Sequence, residues 1–301
     1  MGSEEELTDF LNWGLENYDA DQIGVTISGH GGGIAGCAYD DNDTYTYERY
    51  EYENTLNCSE IAEAVKEALN NTGHGKLTWM GFDCCLMQSA DIASVLADYF
   101  DYMVGSTEEE AGEGWDHDTY MQELVKDPTV SPDVLLPKIC DSFVDEVHNT
   151  YCSAREVCNS TLSVLDLSKM GELVTAFNNY VSSTGNSSTA YSKYKTAFNN
   201  AYNDQGEGCY GIVDFKSFMN KLKNQYSSIS VDDVLSAIDD VVMHSAVCSR
   251  HSGNPCGLNA FFPESTSREA LQPGKEDYTG SMATKFSNYQ SMCLSYGDWT
   301  W

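Results

Sequence analysis

His30 and Cys85 are the two side chains in this sequence best suited to act together on a carbonyl carbon. A thiol attacks as its thiolate, needs a base that takes and returns the proton, and needs N–H donors for the oxyanion that forms. His30 lies in the run Gly29 to Gly33, where the backbone can approach a substrate closely and the Gly31 N–H can serve as a donor. Cys85 stands 55 residues later in GFDCCLMQ (Gly81 to Gln88) and is expected to open a helix. The helix N-terminus would favour thiolate, and the Cys85 N–H would complete the oxyanion hole. Such a thiolate should react with iodoacetamide well below the unperturbed thiol pKa of about 8.5. Each residue alone has a plainer reading, His30 as a hydrogen-bonded loop residue and Cys85 as a small core residue. The vicinal pair Cys84-Cys85 could be a disulfide, a metal site, or one nucleophile beside one bystander.

The elements around these residues explain how they could meet. Leu7, Phe10, Leu11 and Leu15 fall at helical spacing and predict an amphipathic helix ending near Asn17. Ile23 to Ser28 is a short β-branched run that reads as a buried parallel strand opening into the glycine loop. Cys37 to Asn57 reads as a polar loop, with a hairpin in TYTYERYEYE, followed by a helix with Ser59 as N-cap. Lys76 to Phe82 predicts a second strand, then a helix carrying Ile92, Val95, Leu96 and Phe100, then a third strand over Tyr102 to Ser106. Strands alternating with helices imply a mainly parallel sheet, and ligand chemistry in such a sheet belongs at the carboxyl ends of the strands. Those ends carry His30, then Asp83 and Cys85, then Ser106 to Glu110, so one rim gathers a histidine, a thiol and several carboxylates.

Residues 1–127 thus read as an α/β core and residues 128–301 as a mostly helical part packed on it. Helices are expected over 131–150, 168–182, 189–202, 214–226 and 231–247, with a returning strand near 257–263. The hydrophobic fraction of 41% is that of a folded chain. With 47 Asp and Glu against 16 Lys and Arg, the net charge of -31 argues against nucleic-acid or anionic-lipid partners and suits basic ligands. No apolar run reaches the roughly 18 residues of a membrane span, and the N-terminus lacks the pattern of a signal peptide. The 11 cysteines show no Cys-x-x-Cys spacing, so a zinc ribbon has little support. Cys152 with Cys158, or Cys248 with Cys256, are close enough in sequence for local disulfides, and free thiols suit them equally.

SGHGGGIAGCAYDDN (Ser28 to Asn42) resembles the histidine segment of the clostripain family of cysteine peptidases, peptidase family C11 of clan CD. GFDCCLM (Gly81 to Met87) is similar to that family's cysteine segment, and GSTEEEAGEGW (Gly105 to Trp115) to the acidic loop that follows it. YGIVDFKSFM (Tyr210 to Met219) and CGLNAFFP (Cys256 to Pro263) resemble two later segments in the same order. The 55-residue interval from His30 to Cys85 is also near the about 50 residues between histidine and cysteine in caspases. The resemblance implies a caspase-like fold, a mainly parallel sheet flanked by helices with a largely helical C-terminal extension. It implies a cysteine endopeptidase with Cys85 as nucleophile, His30 as acid and base, and Gly31 and Cys85 as oxyanion donors. Cys84 then takes a position usually held by alanine. Asp83 falls on the family's basic S1 position, which implies cleavage after Arg or Lys, with Ser106, Glu108, Glu109 and Glu110 as further substrate-binding candidates; Asp83 also suits a helix cap.

The family usually carries two further strands and a helix upstream of the first helix here, so either this sequence is a fragment or a second chain supplies them after processing and covers an otherwise open sheet edge. Self-processing between the histidine and the cysteine would fall after Arg49, the one basic residue of that interval in an expected loop. No cofactor is required. AYDDNDT (Ala38 to Thr44) could bind calcium, although it lacks the glycine and distal glutamate of an EF-hand and acidic loops are more often only solvated. Family members are secreted or cell-surface bacterial proteins, which is the expected localisation. Two other readings stand beside the enzyme: a catalytically silent secreted protein that holds basic peptides on its acidic rim, and a vicinal-cysteine redox or metal site.

Overall fold

Ser3 accepts a hydrogen bond from the Glu6 N–H, and Glu4 to Glu6 complement the helix dipole, so the first helix, α1, starts at once and runs Glu4–Asn17. The computed structural model describes residues 2–47, 50–150, 160–202, 211–249, 251, 253–262 and 285–297. After α1 come β1 (Gly24–Ser28), β2 (Cys37–Tyr47), β3 (Tyr50–Leu56), α2 (Cys58–Thr72), β4 (Leu77–Asp83), α3 (Ala90–Leu96) and β5 (Phe100–Gly105). The chain continues with α4 (His117–Lys126), α5 (Pro132–Thr150), β6 (Thr161–Asp166), α6 (Met170–Thr184), α7 (Ser188–Phe198), β7 (Ile212–Asp214) and α8 (Phe215–Gln225). It closes with α9 (Asp232–Val241), β8 (Val242–Val247), β9 (Asn259–Phe261) and α10 (Ser287–Tyr296).

Five strands form one sheet in the order β1-β4-β5-β6-β8. The β1/β4 and β4/β5 pairs are parallel, whereas β6 runs antiparallel to both of its neighbours. Ser28 is in register with Asp83, so the carboxyl ends of β1 and β4 lie side by side. Side chains alternate across the sheet, and each face buries its own core. Met103 and Leu165 pack on one face with Ile61, Leu96 and Ile238, while Val104 and Val164 pack on the other with Leu136 and Phe143. Each large side chain of this kind contributes about 1.5–3 kcal/mol when fully buried. Parallel strands covered on both faces give a rigid platform from which the loops at the carboxyl rim project.

Several expectations change. Asn57, not Ser59, caps α2, through a capping box with Glu60. Cys37 to Asn57 is mostly a hairpin rather than a loop, with β2 and β3 paired antiparallel. The helix expected over 231–247 stops at Val241, because Val242–Val247 becomes a strand that occupies the free edge of β6. The run Thr161–Asp166, unread in the sequence, is the strand it joins. Residues after 128 therefore supply two strands of the central sheet. The returning strand near 257–263 is β9, and it pairs with β7 in a separate two-stranded sheet. Among the described residues no helix is long and apolar enough to cross a membrane, and no cluster of three or more His, Cys, Asp or Glu could hold a metal ion. Cys248 and Cys256 are not joined to each other by a disulfide, and Cys152 and Cys158 lie outside the described residues.

Candidate active site

The glycine loop after β1 is folded back on itself by backbone bonds. Gly29, at φ +145°, donates to the Asp83 carbonyl at 3.1 Å, the His30 carbonyl accepts from Ala38 at 3.1 Å, and Gly32 donates to Gly36 at 2.9 Å. The His30 side chain is left exposed, edge-on to Tyr39 with ring centroids 6.3 Å apart. Gly31 lies against the peptide of the nucleophile segment: a Cβ placed there would overlap the Cys85 carbonyl oxygen and lie 3.1 Å from the Cys85 nitrogen. His30, Asp83 and Cys85 line one cavity of about 270 Å³, closed on its far side by the segment Glu110 to Gly114.

Cys85 does not open a helix. β4 ends at Asp83, Cys84 to Leu86 make a turn, and α3 begins only at Ala90, with Ser89 as its cap. The helix-dipole argument for a thiolate, and a capping role for Asp83, both fall with that boundary. The turn is held by the segment after β5, since Leu86 donates to the Glu108 carbonyl and Gln88 to that of Ser106, each at 3.0 Å. Leu86 sits at φ +68°, a left-handed conformation that costs roughly 1–2 kcal/mol for a non-glycine residue. The cost is tolerated where the surroundings fix the turn that presents Cys85.

The Cys85 thiol is half-buried, and its sulfur accepts the Glu110 backbone N–H at 3.2 Å. Burial pushes its pKa up, the Glu110 N–H opposes this, and the charges of Glu110, Glu109 and Cys84 add to the rise. The sign is the reverse of the low-pKa thiol expected at a helix start. Labelling by iodoacetamide should therefore rise with pH through a midpoint above the ordinary thiol range of about 8.5. Glu110→Gln should move that midpoint down. A wild-type midpoint below 7 would show a preformed thiolate and contradict this electrostatic picture.

Asp83 is nearly fully buried at the cavity wall. Its carboxylate accepts the Ser28 hydroxyl at 2.9 Å and the Trp115 N–H at 3.0 Å, and His117 Nε2 lies 3.3 Å away. Gly114, at φ +71°, gives that carboxylate room, because a Cβ there would come within 2.8 Å of it. Ser28, Gly114, Trp115 and His117 were not singled out in the sequence, although Trp115 and His117 follow directly on the acidic run. Cys84 is buried and faces away from the cavity, its thiol 3.4 Å from the Ile27 carbonyl.

The acidic candidates divide. Glu110 lines the cavity with its carboxyl oxygens buried, and burial, reinforced by the charge of Asp83, holds its pKa well above the carboxylate range. Glu109 is exposed. Glu108 does not face substrate, because its buried carboxylate pairs with His251 at 2.6 Å and accepts the Tyr202 hydroxyl at 3.1 Å. Ser106 is fully buried, its hydroxyl shared with Thr161 and the Glu108 N–H. Both residues brace the segment that holds Cys85 rather than line the cavity. Arg49 lies outside the described residues, as do the side chains of 41–43 in the candidate calcium run.

Residues 1–299 match the model of the clostripain family, Peptidase_C11. An inactive zymogen C11 protease from Parabacteroides distasonis has the same fold, with a TM-score of 0.66 at 18% identity over 95% of this chain and 76% of its own. A secreted C11 cysteine protease from Bacteroides thetaiotaomicron, solved with an irreversible peptide inhibitor, gives 0.65 at 15% identity over 97% of this chain and 78% of its own. A clostripain from the same species, in complex with the peptide inhibitor BTN-VLTK-AOMK, gives 0.52 at 16% identity over 79% and 95%. No curated protein matches by sequence.

Proposed function

The chain belongs to the clostripain family, and from that premise we propose that it is a cysteine endopeptidase that cuts peptide bonds after arginine or lysine. The observation that carries this reading is the single cavity lined by His30, Cys85 and Asp83, with a further carboxyl group from Glu110. Since burial keeps the Cys85 thiol protonated, His30 must act as a general base and take its proton as the sulfur attacks the scissile carbonyl carbon. The oxyanion is received by the N–H groups of Gly31 and Cys85. His30 returns the proton to the leaving amine, and water activated by His30 then hydrolyses the thioester. Asp83 receives the basic side chain of the substrate, assisted by Glu110. The lysine that ends the inhibitor peptide VLTK of the Bacteroides clostripain supports a basic preference.

Turnover of a fluorogenic arginyl substrate at least about 100-fold above its norleucyl analogue is the expected result, the order of an unpaired buried charge. Asp83→Asn should remove most of that preference. Equal turnover of both substrates by the wild type would end the assignment of basic specificity.

Self-processing after Arg49 would yield two fragments in freshly purified wild type and none in Cys85→Ala, read by intact mass after reduction. The calcium proposal falls on the Ala38 to Thr44 run, and we assign the reaction itself no cofactor. Secretion is supported by the secreted Bacteroides relative. Among the described residues β1 is an edge strand, and the groove between it and α1 exposes Phe10, Trp13 and Tyr18, which is where strands from a second chain would add. One observation favours a second reading, a catalytically silent binder of basic peptides: the raised pKa of the Cys85 thiol. It predicts peptide binding without turnover.

A further inference from the structure

Cys37 and Cys84 take no part in the chemistry above, yet the fold brings them together. Cys37 opens β2, Cys84 follows β4, and both come close to Gly31. Gly31 is the antiparallel bridge partner of Cys37, and a Cβ added to Gly31 would lie 2.9 Å from the Cys84 Cβ. Facing residues in such a bridge hold their Cα atoms roughly 4.5–5.5 Å apart. Gly31 therefore adjoins both cysteines, Cys37 through the bridge and Cys84 through the space where a Gly31 side chain would stand. Both cysteines are free and buried in the same core, and the Cys84 thiol is within hydrogen-bonding reach of Cys37. Cys85, by contrast, turns its sulfur to the Glu110 N–H at the cavity.

We propose that Cys37 and Cys84 join as a disulfide when the chain folds in an oxidising compartment, tying the loop of His30 to the segment of Cys85. Two thiols give up two protons and two electrons to one molecule of a small disulfide such as oxidised glutathione, which departs as two thiols while one S–S bond forms. The step belongs to folding. Once folded, the hydrogen bond with Cys37 and then burial hold the Cys84 thiol protonated, and thiolate attack is suppressed.

Two consequences follow. With Cys84 engaged, the vicinal neighbour can no longer capture Cys85 and silence it. The closed ring also spans Arg49, Lys66 and Lys76, so a chain cut inside it keeps the His30 half covalently joined to the Cys85 half. The second consequence rests on the self-processing proposed above, whereas the bond itself does not.

The test uses the full-length Cys85→Ala protein, so its outcome is independent of peptidase activity. The protein is refolded with reduced and oxidised glutathione, alkylated, digested without reductant and mapped by mass spectrometry. A cross-linked peptide pair joining Cys37 and Cys84 is expected. Recovery of both as alkylated thiols, or of either joined to another cysteine, overturns the proposal. As a second readout, reductant should lower the thermal midpoint of this protein by several degrees and leave that of the Cys84→Ala, Cys85→Ala double variant unchanged. Equal shifts in the two proteins would also overturn it.

Discussion

Cys85→Ala should lower turnover of an arginyl substrate by about 10⁴-fold or more, the scale seen when a catalytic nucleophile is deleted, while Cys84→Ala, assayed with reductant, should stay within about threefold of wild type. The two thiols are adjacent in sequence but occupy different environments. Cys85 borders the cavity that also holds His30, and its sulfur accepts the Glu110 N–H. Cys84 is 1% exposed and packs with Met80, Phe82 and Leu86 in the core. Its removal deletes one buried sulfur atom, worth about 1 kcal/mol of stability, and leaves the cavity lining intact. The measurement is kcat/KM for both variants together with a thermal midpoint, so that loss of fold is separated from loss of chemistry. Equal loss in the two variants would overturn the assignment of a single nucleophile and return the doublet to a redox or metal site. His30→Ala should resemble Cys85→Ala, because a thiol whose pKa is raised by burial is mostly protonated at neutral pH and needs a base to attack as thiolate.

The rim that gathers this chemistry is legible in the sequence, because short, mostly apolar runs that end near glycine or aspartate carry their own strand signature. β1, β4 and β5 lie within two residues of their expected bounds, and their parallel pairing follows from the helices between them. β6 and β8 were not legible for a nonlocal reason. Val242–Val247 continues a helical pattern, and only the open edge of β6 makes it a strand. α3 starts later than the sequence suggests, because Leu86 and Met87 look like the first apolar turn of a helix, whereas the cap is Ser89, whose hydroxyl accepts the Ile92 N–H. Glu108 shows the same limit within the site. Three consecutive glutamates read as a solvated loop, and the partner that draws one of them inside, His251, stands 143 residues away. A buried ion pair of this kind is invisible to any local pattern, yet it braces the segment whose Glu110 N–H touches the nucleophile.

Gly31→Ala should lower kcat/KM by about 10²-fold or more while the protein still folds, since displacing reacting groups by about 1 Å has that scale of effect. An added methyl would overlap the Cys85 carbonyl oxygen and crowd the Cys85 nitrogen and the Cys84 Cβ. The first two are backbone atoms, so no change of rotamer relieves the clash. The strain, about 1–3 kcal/mol for overpacking of this kind, is relieved only by parting the glycine loop from the nucleophile turn. That motion carries His30 away from Cys85 and spoils any oxyanion geometry shared between the Gly31 and Cys85 N–H groups. Gly29→Ala is the control, because a Cβ there meets nothing within 4 Å and the cost is backbone strain at φ +145° alone. If proximity to Cys85 is what matters, Gly31→Ala loses activity out of proportion to its thermal midpoint, and Gly29→Ala loses the two together. Near wild-type kcat/KM in Gly31→Ala would mean that the His30 loop and the Cys85 turn are not mechanically coupled in catalysis, and the shared oxyanion hole would fall with it.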